Sequence, residues 1–141
     1  MRSVDVCKAV GISFRRLDYL ARTKQLDGMA TGSGCPRVWD DRLVVRLALA
    51  NRLASVGPQA PSQSAFQEVA TAALDPEVPD PPRSGYALVT QQPSTVTWAP
   101  GWPEVQAAIA SHGAVLLVAY DLDELVGQWV DLDALYAPTA A

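Results

Sequence analysis

The chain has 141 residues, of which 49% are hydrophobic, and its formal net charge at pH 7 is −4; this length suits one ordinary domain or two small ones. No apolar run approaches the ~20 residues that a membrane-spanning helix needs, and the N-terminus lacks the apolar core of a signal peptide, so we expect a cytoplasmic protein without a membrane partner. Two cysteines and one histidine are too few for a disulfide framework or an ordinary zinc site, so we expect neither a metal nor another cofactor.

The charge is distributed very unevenly along the chain. Residues 1–57 hold ten of the eleven Lys and Arg and five of the fifteen Asp and Glu, so this part nets +5. Residues 58–141 hold one basic and ten acidic residues and net −9. Because clustered Lys and Arg are the electrostatic footprint of phosphate binding, the first part is a candidate for binding a polyanion despite the negative total.

The first elements are two short helices. Val4–Val10 is predicted to be helical and to end at Gly11, after which Ser13 caps a second helix. Four apolar residues of the second helix recur at helical spacing and predict its buried stripe: Phe14, Leu17, Leu20 and Ala21. The opposite face is predicted to carry Arg15, Arg16, Tyr19 and Arg22.

A hairpin and a third helix follow. Leu26–Trp39 has a Gly/Ser-rich centre between two short extended segments, which predicts a β-hairpin with Trp39 in the core beneath it. Asp40 can cap a third helix, Asp41–Val56, which Gly57-Pro58 ends. Residues 1–57 therefore form the first predicted domain.

Residues 58–85 are predicted to be a linker with one helix at about residues 64–74. The linker ends in an acidic Pro-rich stretch, Asp75–Pro82, which we expect to be extended and solvated. The last part, residues 86–141, is predicted to be a small α+β domain. Its expected strands are Tyr86–Thr90, Thr95–Ala99 and Ala114–Tyr120.

Two helices complete the predicted α+β domain. One has Pro103 in its first turn and ends before Gly113. The other places apolar residues at helical intervals from Leu122 to Leu132, although Gly127 weakens it by about 1 kcal/mol. The expected fold class is thus α+β, with an N-terminal winged helix-turn-helix followed by a short sheet and its helices.

The order helix, Gly-containing turn, basic helix, hairpin, helix is typical of a winged helix-turn-helix, whose second helix fits the ~12 Å major groove of B-DNA. The segment Val10–Tyr19, which contains Gly-Ile-Ser and ends in Leu-Asp-Tyr, resembles the recognition segment of MerR-type regulators. Gly34–Asp41 resembles the wing of that family, and the third helix with its terminal glycine resembles the helix that follows. The resemblance covers about residues 3–57.

The resemblance implies a MerR-like DNA-binding regulator that works as a homodimer. Carried over by position, Arg15, Arg16 and Tyr19 face DNA, Arg22 lies at the end of the recognition helix, and Arg37 contacts the backbone from the wing. Asp18 stands where the family usually has Arg, and it could accept a bond from cytosine N4 or orient Arg15 or Arg22. Lys24 stands where a helix-ending glycine is common. The predicted DNA-binding residues are Ser13, Arg15, Arg16, Asp18, Tyr19, Arg22, Lys24 and Arg37.

These observations predict a sequence-specific regulator of transcription that binds double-stranded DNA, associates with the nucleoid and acts on RNA polymerase. The C-terminal part is the candidate for dimerisation or partner contact. Three alternatives stay open: an architectural or excisionase-type factor, a regulator that senses a small ligand through its C-terminal part, and an adaptor whose module does not bind DNA. An enzyme is not expected, because neither a nucleophile nor a histidine accompanies the C-terminal carboxylates Asp121, Asp123, Glu124, Asp131 and Asp133.

Overall fold

The structure is a computed structural model that describes residues 1–24, 39–56, 69–75, 77–89, 95–113 and 116–137. These residues form a mixture of helices and one small antiparallel sheet, so the α+β class is confirmed. In chain order the elements are α1 (Ser3–Val10), α2 (Phe14–Lys24), α3 (Asp41–Val56), α4 (residues 69–73), β1 (Ser84–Val89), β2 (Val96–Ala99), α5 (Trp102–His112), β3 (Leu116–Asp121), α6 (Leu122–Val126) and α7 (Leu132–Leu135).

The turn between α1 and α2 is fixed by local hydrogen bonds and by α3. Gly11 ends α1 in the left-handed region, with a φ of 83°, which favours glycine because it has no Cβ. The Oγ of Ser13 accepts from the N–H of Arg16 at 3.2 Å, which confirms the predicted cap of α2. From α3, the side-chain amide of Asn51 donates to the carbonyl of Val10 at 3.0 Å. The two helices therefore meet at a defined turn.

Helix α3 is the central element of the core. It begins as predicted, since the carboxylate of Asp40 accepts from the N–H of Arg42 at 2.8 Å. Every residue from 44 to 50 is buried, which is typical of a helix that is packed on several sides rather than on one stripe. The predicted core residue Trp39 is buried just before α3, and its indole N–H donates to the hydroxyl of Ser3 at 3.0 Å. The hairpin predicted before it lies outside the described residues.

The three strands form one antiparallel sheet in the order β2-β1-β3, and all three were predicted within a few residues. One face of the sheet carries Val89, Val118 and Tyr120 into the same buried cluster as α1 and α3. On the other face, Leu88 packs with Val105 of α5. The N-terminal helices and the sheet thus share one hydrophobic core, through which the two oppositely charged parts of the chain are packed together.

The Pro-rich segment from residue 75 to residue 82 is solvated in part. Its described residues are neither helix nor strand, as expected, and Asp75, Glu77, Pro79 and Asp80 are exposed, whereas Pro81 is buried. Three of its backbone carbonyls accept hydrogen bonds from aromatic side chains of the sheet and of the residue that follows α7, as backbone carbonyls outside helices and sheets need such donors. The pairs are Trp98 Nε1 with Pro79 O at 2.9 Å, Tyr120 Oη with Pro82 O at 2.7 Å, and Tyr136 Oη with Pro81 O.

Arg46 joins the middle of α3 to this segment. The residue is only 8% exposed. Its guanidinium donates to the carbonyls of Ala73 and Val78, each at 2.8 Å, and to the carboxylate of Asp80 at 2.9 Å. Arg46 is one of the ten basic residues that give residues 1–57 their positive net charge. Its guanidinium is bound to groups of the protein itself and does not add to a positive surface.

The apolar residues spaced at helical intervals from Leu122 to Leu132 are divided between two short helices, with the break at the glycine that was expected to weaken a single helix. Helix α6 ends at Val126, and a turn begins at Gly127. Helix α7 starts anew where the carboxylate of Asp131 accepts from the N–H of Ala134 at 3.2 Å.

Arg83, which directly precedes β1, bridges the two short helices. Its guanidinium binds the carboxylate of Asp123 in α6 at 2.7 Å and that of Asp133 in α7 at 2.9 Å. The hydrogen bond to Arg83 lowers the pKa of Asp123. The one basic residue of the acidic part is therefore engaged in holding α6 and α7 to the sheet.

We expect Arg46→Met to destabilise the fold by about 2–4 kcal/mol, because it leaves the buried carbonyl of Ala73 and the partly buried carbonyl of Val78 without this donor. Arg42→Met is the matched control, since the Arg42 side chain is 63% exposed and lies 3.8 Å from the same Asp80. Its expected cost is below about 0.5 kcal/mol. Urea denaturation of both variants measures the difference, and equal midpoints would contradict the role given to Arg46.

The buried phenols predict a loss of stability in alkali. Burial raises the pKa of Tyr120 and of Tyr136 above the value in the unfolded chain. Their contribution is therefore fully present below about pH 10 and is lost as the pH rises towards the folded-state pKa. We expect Tyr120→Phe to cost about 1 kcal/mol near neutrality and to flatten the alkaline fall in stability, measured by urea denaturation between about pH 9 and pH 11. An unchanged alkaline slope would contradict this.

Candidate nucleic-acid interface

The first turn of α2 presents polar and basic groups to solvent. Ser13 and Arg15 are exposed, whereas Leu17 and Leu20 are fully buried in the core. The predicted outer face of α2 is thus confirmed for Arg15, and the predicted buried stripe is confirmed for Leu17 and Leu20. Arg15 lies two residues after the Ser13 cap, near the end of the helix where the positive end of the dipole favours anions.

Phe14 corrects the predicted buried stripe. It was expected to pack with Leu17 and Leu20, yet it is 58% exposed. Ile12, which precedes the cap, is buried and fills the core at the start of α2. The aromatic ring is therefore left on the surface beside Arg15.

The other predicted contact residues are only partly described. Arg16 and Asp18 are half-buried, and both interact with other groups of the protein. Tyr19, Arg22 and Lys24 belong to α2, but their side chains lie outside the described part of the structure. Arg37 and the predicted wing lie outside the described residues. The structure therefore brings together Ser13, Arg15, Arg16 and Asp18 on two turns of one helix.

The remaining basic residues of the first part do not all contribute to this surface. Arg46 is buried, and Arg42 lies near Asp80. Arg2 and Lys8, at the two ends of α1, are exposed, and sequence reasoning did not place them in the site.

A groove of about 440 Å³ lies on another side of the molecule. It is lined by Arg52 of α3 and by residues of β3 and α6, namely Ala119, Tyr120, Asp121, Glu124 and Leu125. Both signs of charge meet there. If the protein senses a small ligand, this groove is the described place where that ligand would bind.

Two other features are absent from the ranges that the structure describes, a metal-binding cluster and a membrane-spanning helix. Among those residues, no group of three or more His, Cys, Asp or Glu could hold a metal ion. None of the described helices is both long enough and apolar enough to cross a membrane. Cys7 is half-buried on α1, and burial raises the pKa of its thiol, which disfavours the reactive thiolate.

No family model, curated protein or solved structure matches the chain. The resemblance to MerR-type regulators therefore stays a prediction from residues 3–57.

Truncation of a buried and of an exposed apolar residue of α2 should have very different effects on stability. Leu17→Ala should destabilise the fold by about 2–5 kcal/mol, because it opens a cavity at a residue that is 1% exposed. Phe14→Ala should change the stability by less than about 0.5 kcal/mol, since the ring is mostly in water. Urea denaturation measures both values. A large loss for Phe14→Ala would show that the ring packs against the protein in solution.

Proposed function

We propose that the chain is a sequence-specific, double-stranded-DNA-binding regulator of transcription that acts as a homodimer through a MerR-like winged helix-turn-helix in residues 1–57. The observation that carries the proposal is the exposed first turn of α2. Ser13 and Arg15 are exposed there, while Leu17 and Leu20 anchor the helix in the core. The N-terminal residues of a recognition helix are the ones that reach base edges in the major groove.

The electrostatics of this end of α2 favour a phosphate-bearing partner. The positive end of the helix dipole attracts anions, and Arg15 adds a full positive charge. An arginine can also bind the O6 and N7 atoms of guanine with two parallel bonds. One residue in this position can therefore support both affinity and sequence preference.

The contacts beneath α2 support its use as a recognition helix. The Gly11 turn is held by the bond from Asn51 to Val10, and α1 and α2 share the core with α3. A rigid platform keeps the recognition helix at a fixed angle, so that side chains meet particular base edges. In contrast, the acidic residues 58–141 repel DNA, which favours binding through the first part only.

A single module of about 57 residues buries too little surface for tight and specific binding. Two modules related by twofold symmetry would read two half-sites and multiply their contacts. This is the reason for proposing a homodimer, with the C-terminal part as the region through which two copies associate.

The test begins with selection of bound duplexes from a random DNA library by the wild-type protein. On the selected duplex, Arg15→Ala should weaken binding by about 10- to 100-fold and reduce the salt dependence of the affinity by about one phosphate contact. Arg42→Ala is the matched control, because it removes the same charge from an exposed side chain outside α2. Its affinity should stay within about threefold of wild type. Fluorescence anisotropy at several salt concentrations measures both variants.

The proposal fails if no duplex is enriched, or if Arg15→Ala and Arg42→Ala weaken binding equally. Enriched duplexes that the protein bends, without an effect on transcription from a promoter that carries them, would favour the architectural alternative. A transcriptional effect that persists in Arg15→Ala would favour the adaptor.

A further inference from the structure

We infer that Phe14 is a base-reading residue of the proposed DNA-binding helix, and that its ring contacts the C5-methyl group of a thymine in the major groove. This thymine lies in the base pair next to the guanine that Arg15 binds. The inference rests on the proposed function and deepens it, because it names one further base pair of the half-site and the group on that base pair that is read.

The ring of Phe14 lies on the surface, although the sequence pattern predicts it in the core. Phe14 and Val4, each 58% exposed, are the most exposed of the large apolar side chains that the structure describes. Leu17 and Leu20 are buried beneath α2, and Ile12 is buried just before its cap. The core at the start of α2 is therefore filled without Phe14, and its ring is left for a contact outside the chain.

The position of Phe14 distinguishes it from other exposed apolar residues. Single apolar side chains are common on protein surfaces, so exposure alone does not mark a binding residue. Phe14 is the first residue of α2, and the next residue, Arg15, is also exposed. The N-terminal residues of a recognition helix are the ones that reach base edges. In the proposed complex, the exposed ring therefore lies where bases are read.

The geometry of the helix lets Phe14 and Arg15 contact neighbouring base pairs. Successive residues of an α-helix differ by about 1.5 Å along the axis and by about 100° around it. The two side chains therefore leave the same turn in different directions, and both directions lead into solvent. Base pairs follow one another at about 3.4 Å along the DNA. A guanine contacted by Arg15 thus has its neighbouring base pair within reach of Phe14.

The chemistry of the ring selects one group in the major groove. A phenyl ring has neither a hydrogen-bond donor nor an acceptor of the kind that phosphates and the polar edges of bases require. The C5-methyl group of thymine is the one apolar group that the base pairs present in this groove, and phenylalanine is among the side chains that contact it. Burial of the methyl group against the ring stabilises the contact. Phe14 is thus suited to distinguish thymine from the other three bases.

A methyl contact agrees better with the position of Phe14 than insertion of the ring between base pairs. Apolar side chains that insert in this way act from the minor groove and bend the duplex. The first turn of a recognition helix lies in the major groove, where base edges are read without unstacking. The ring therefore adds sequence preference without requiring bent DNA.

The test uses a duplex that the wild-type protein selects, in which one thymine at a time is replaced by deoxyuridine. Uracil pairs with adenine as thymine does and lacks only the C5-methyl group. The wild type should lose about three- to fivefold in affinity at one thymine of each half-site, next to a guanine, because one methyl group is no longer buried. Fluorescence anisotropy measures the affinity for each duplex.

Phe14→Ala links this loss to the ring. On the unmodified duplex the variant should bind about five- to tenfold more weakly than the wild type, and deoxyuridine at the same thymine should cause no further loss. Ile109→Ala is the matched control, because it truncates an apolar side chain that is 42% exposed on α5, outside residues 1–57. This variant should keep both the affinity of the wild type and its response to deoxyuridine.

Two further readouts separate base reading from other roles of the ring. Phe14 carries no charge, so Phe14→Ala should leave the salt dependence of the affinity unchanged, whereas Arg15→Ala reduces it. Phe14→Leu keeps an apolar side chain and should retain part of the response to deoxyuridine. A loss of affinity that came from unfolding would instead lower the midpoint of urea denaturation.

The inference is overturned if the wild type and Phe14→Ala respond equally to deoxyuridine at every thymine. The proposed function then stands, because the duplex was selected. The inference is also overturned if the wild type bends the selected duplex and Phe14→Ala does not, since the ring would then act between base pairs. If the wild type selects no duplex at all, the proposed function itself fails, and the thymine contact fails with it.

Discussion

The guanidinium of Arg46 binds the Pro-rich segment from the middle of a helix in which residues 44–50 are all buried. Helix α3 contacts both α1, which belongs to the proposed DNA-binding helices, and the sheet. One side of α3 positions α1 and the Gly11 turn, and another contacts β3 and α6. Neither part of the chain can therefore move far from the other without exposing the shared core, so the two oppositely charged surfaces keep fixed directions.

Because of that arrangement, the uneven charge along the sequence corresponds to two surfaces of different charge on the folded protein. The exposed positive charges of the described first part lie at the first turn of α2, at the ends of α1 and on Arg42 and Arg52 of α3, whereas Arg46 and Arg83 contact other groups of the protein. The acidic part has its only arginine bound between Asp123 and Asp133, so its surface remains negative. A regulator built in this way would present one face to DNA and keep the other in solvent or against a second copy.

Local rules predicted much of the fold, and long-range contacts account for most errors. Caps and breakers at Gly11, Ser13 and Asp40 placed three helices almost to the residue, because these signals act within one turn. The exposure of Phe14 could not be predicted, since its spacing fits the buried stripe, whereas Ile12, just before the cap, is the residue that is buried. Arg46 could not be told from a DNA-binding arginine, because its acceptors lie 27 to 34 residues away.

The central claim is that the basic first part binds DNA at defined sites, and genome-wide footprinting of the protein in its own cells tests it most directly. The account predicts discrete occupied sites that contain two related half-sites, separated by about one or more helical turns of DNA and located at promoters. Footprints that follow total DNA without enriched sites, or the absence of any footprint, would contradict it.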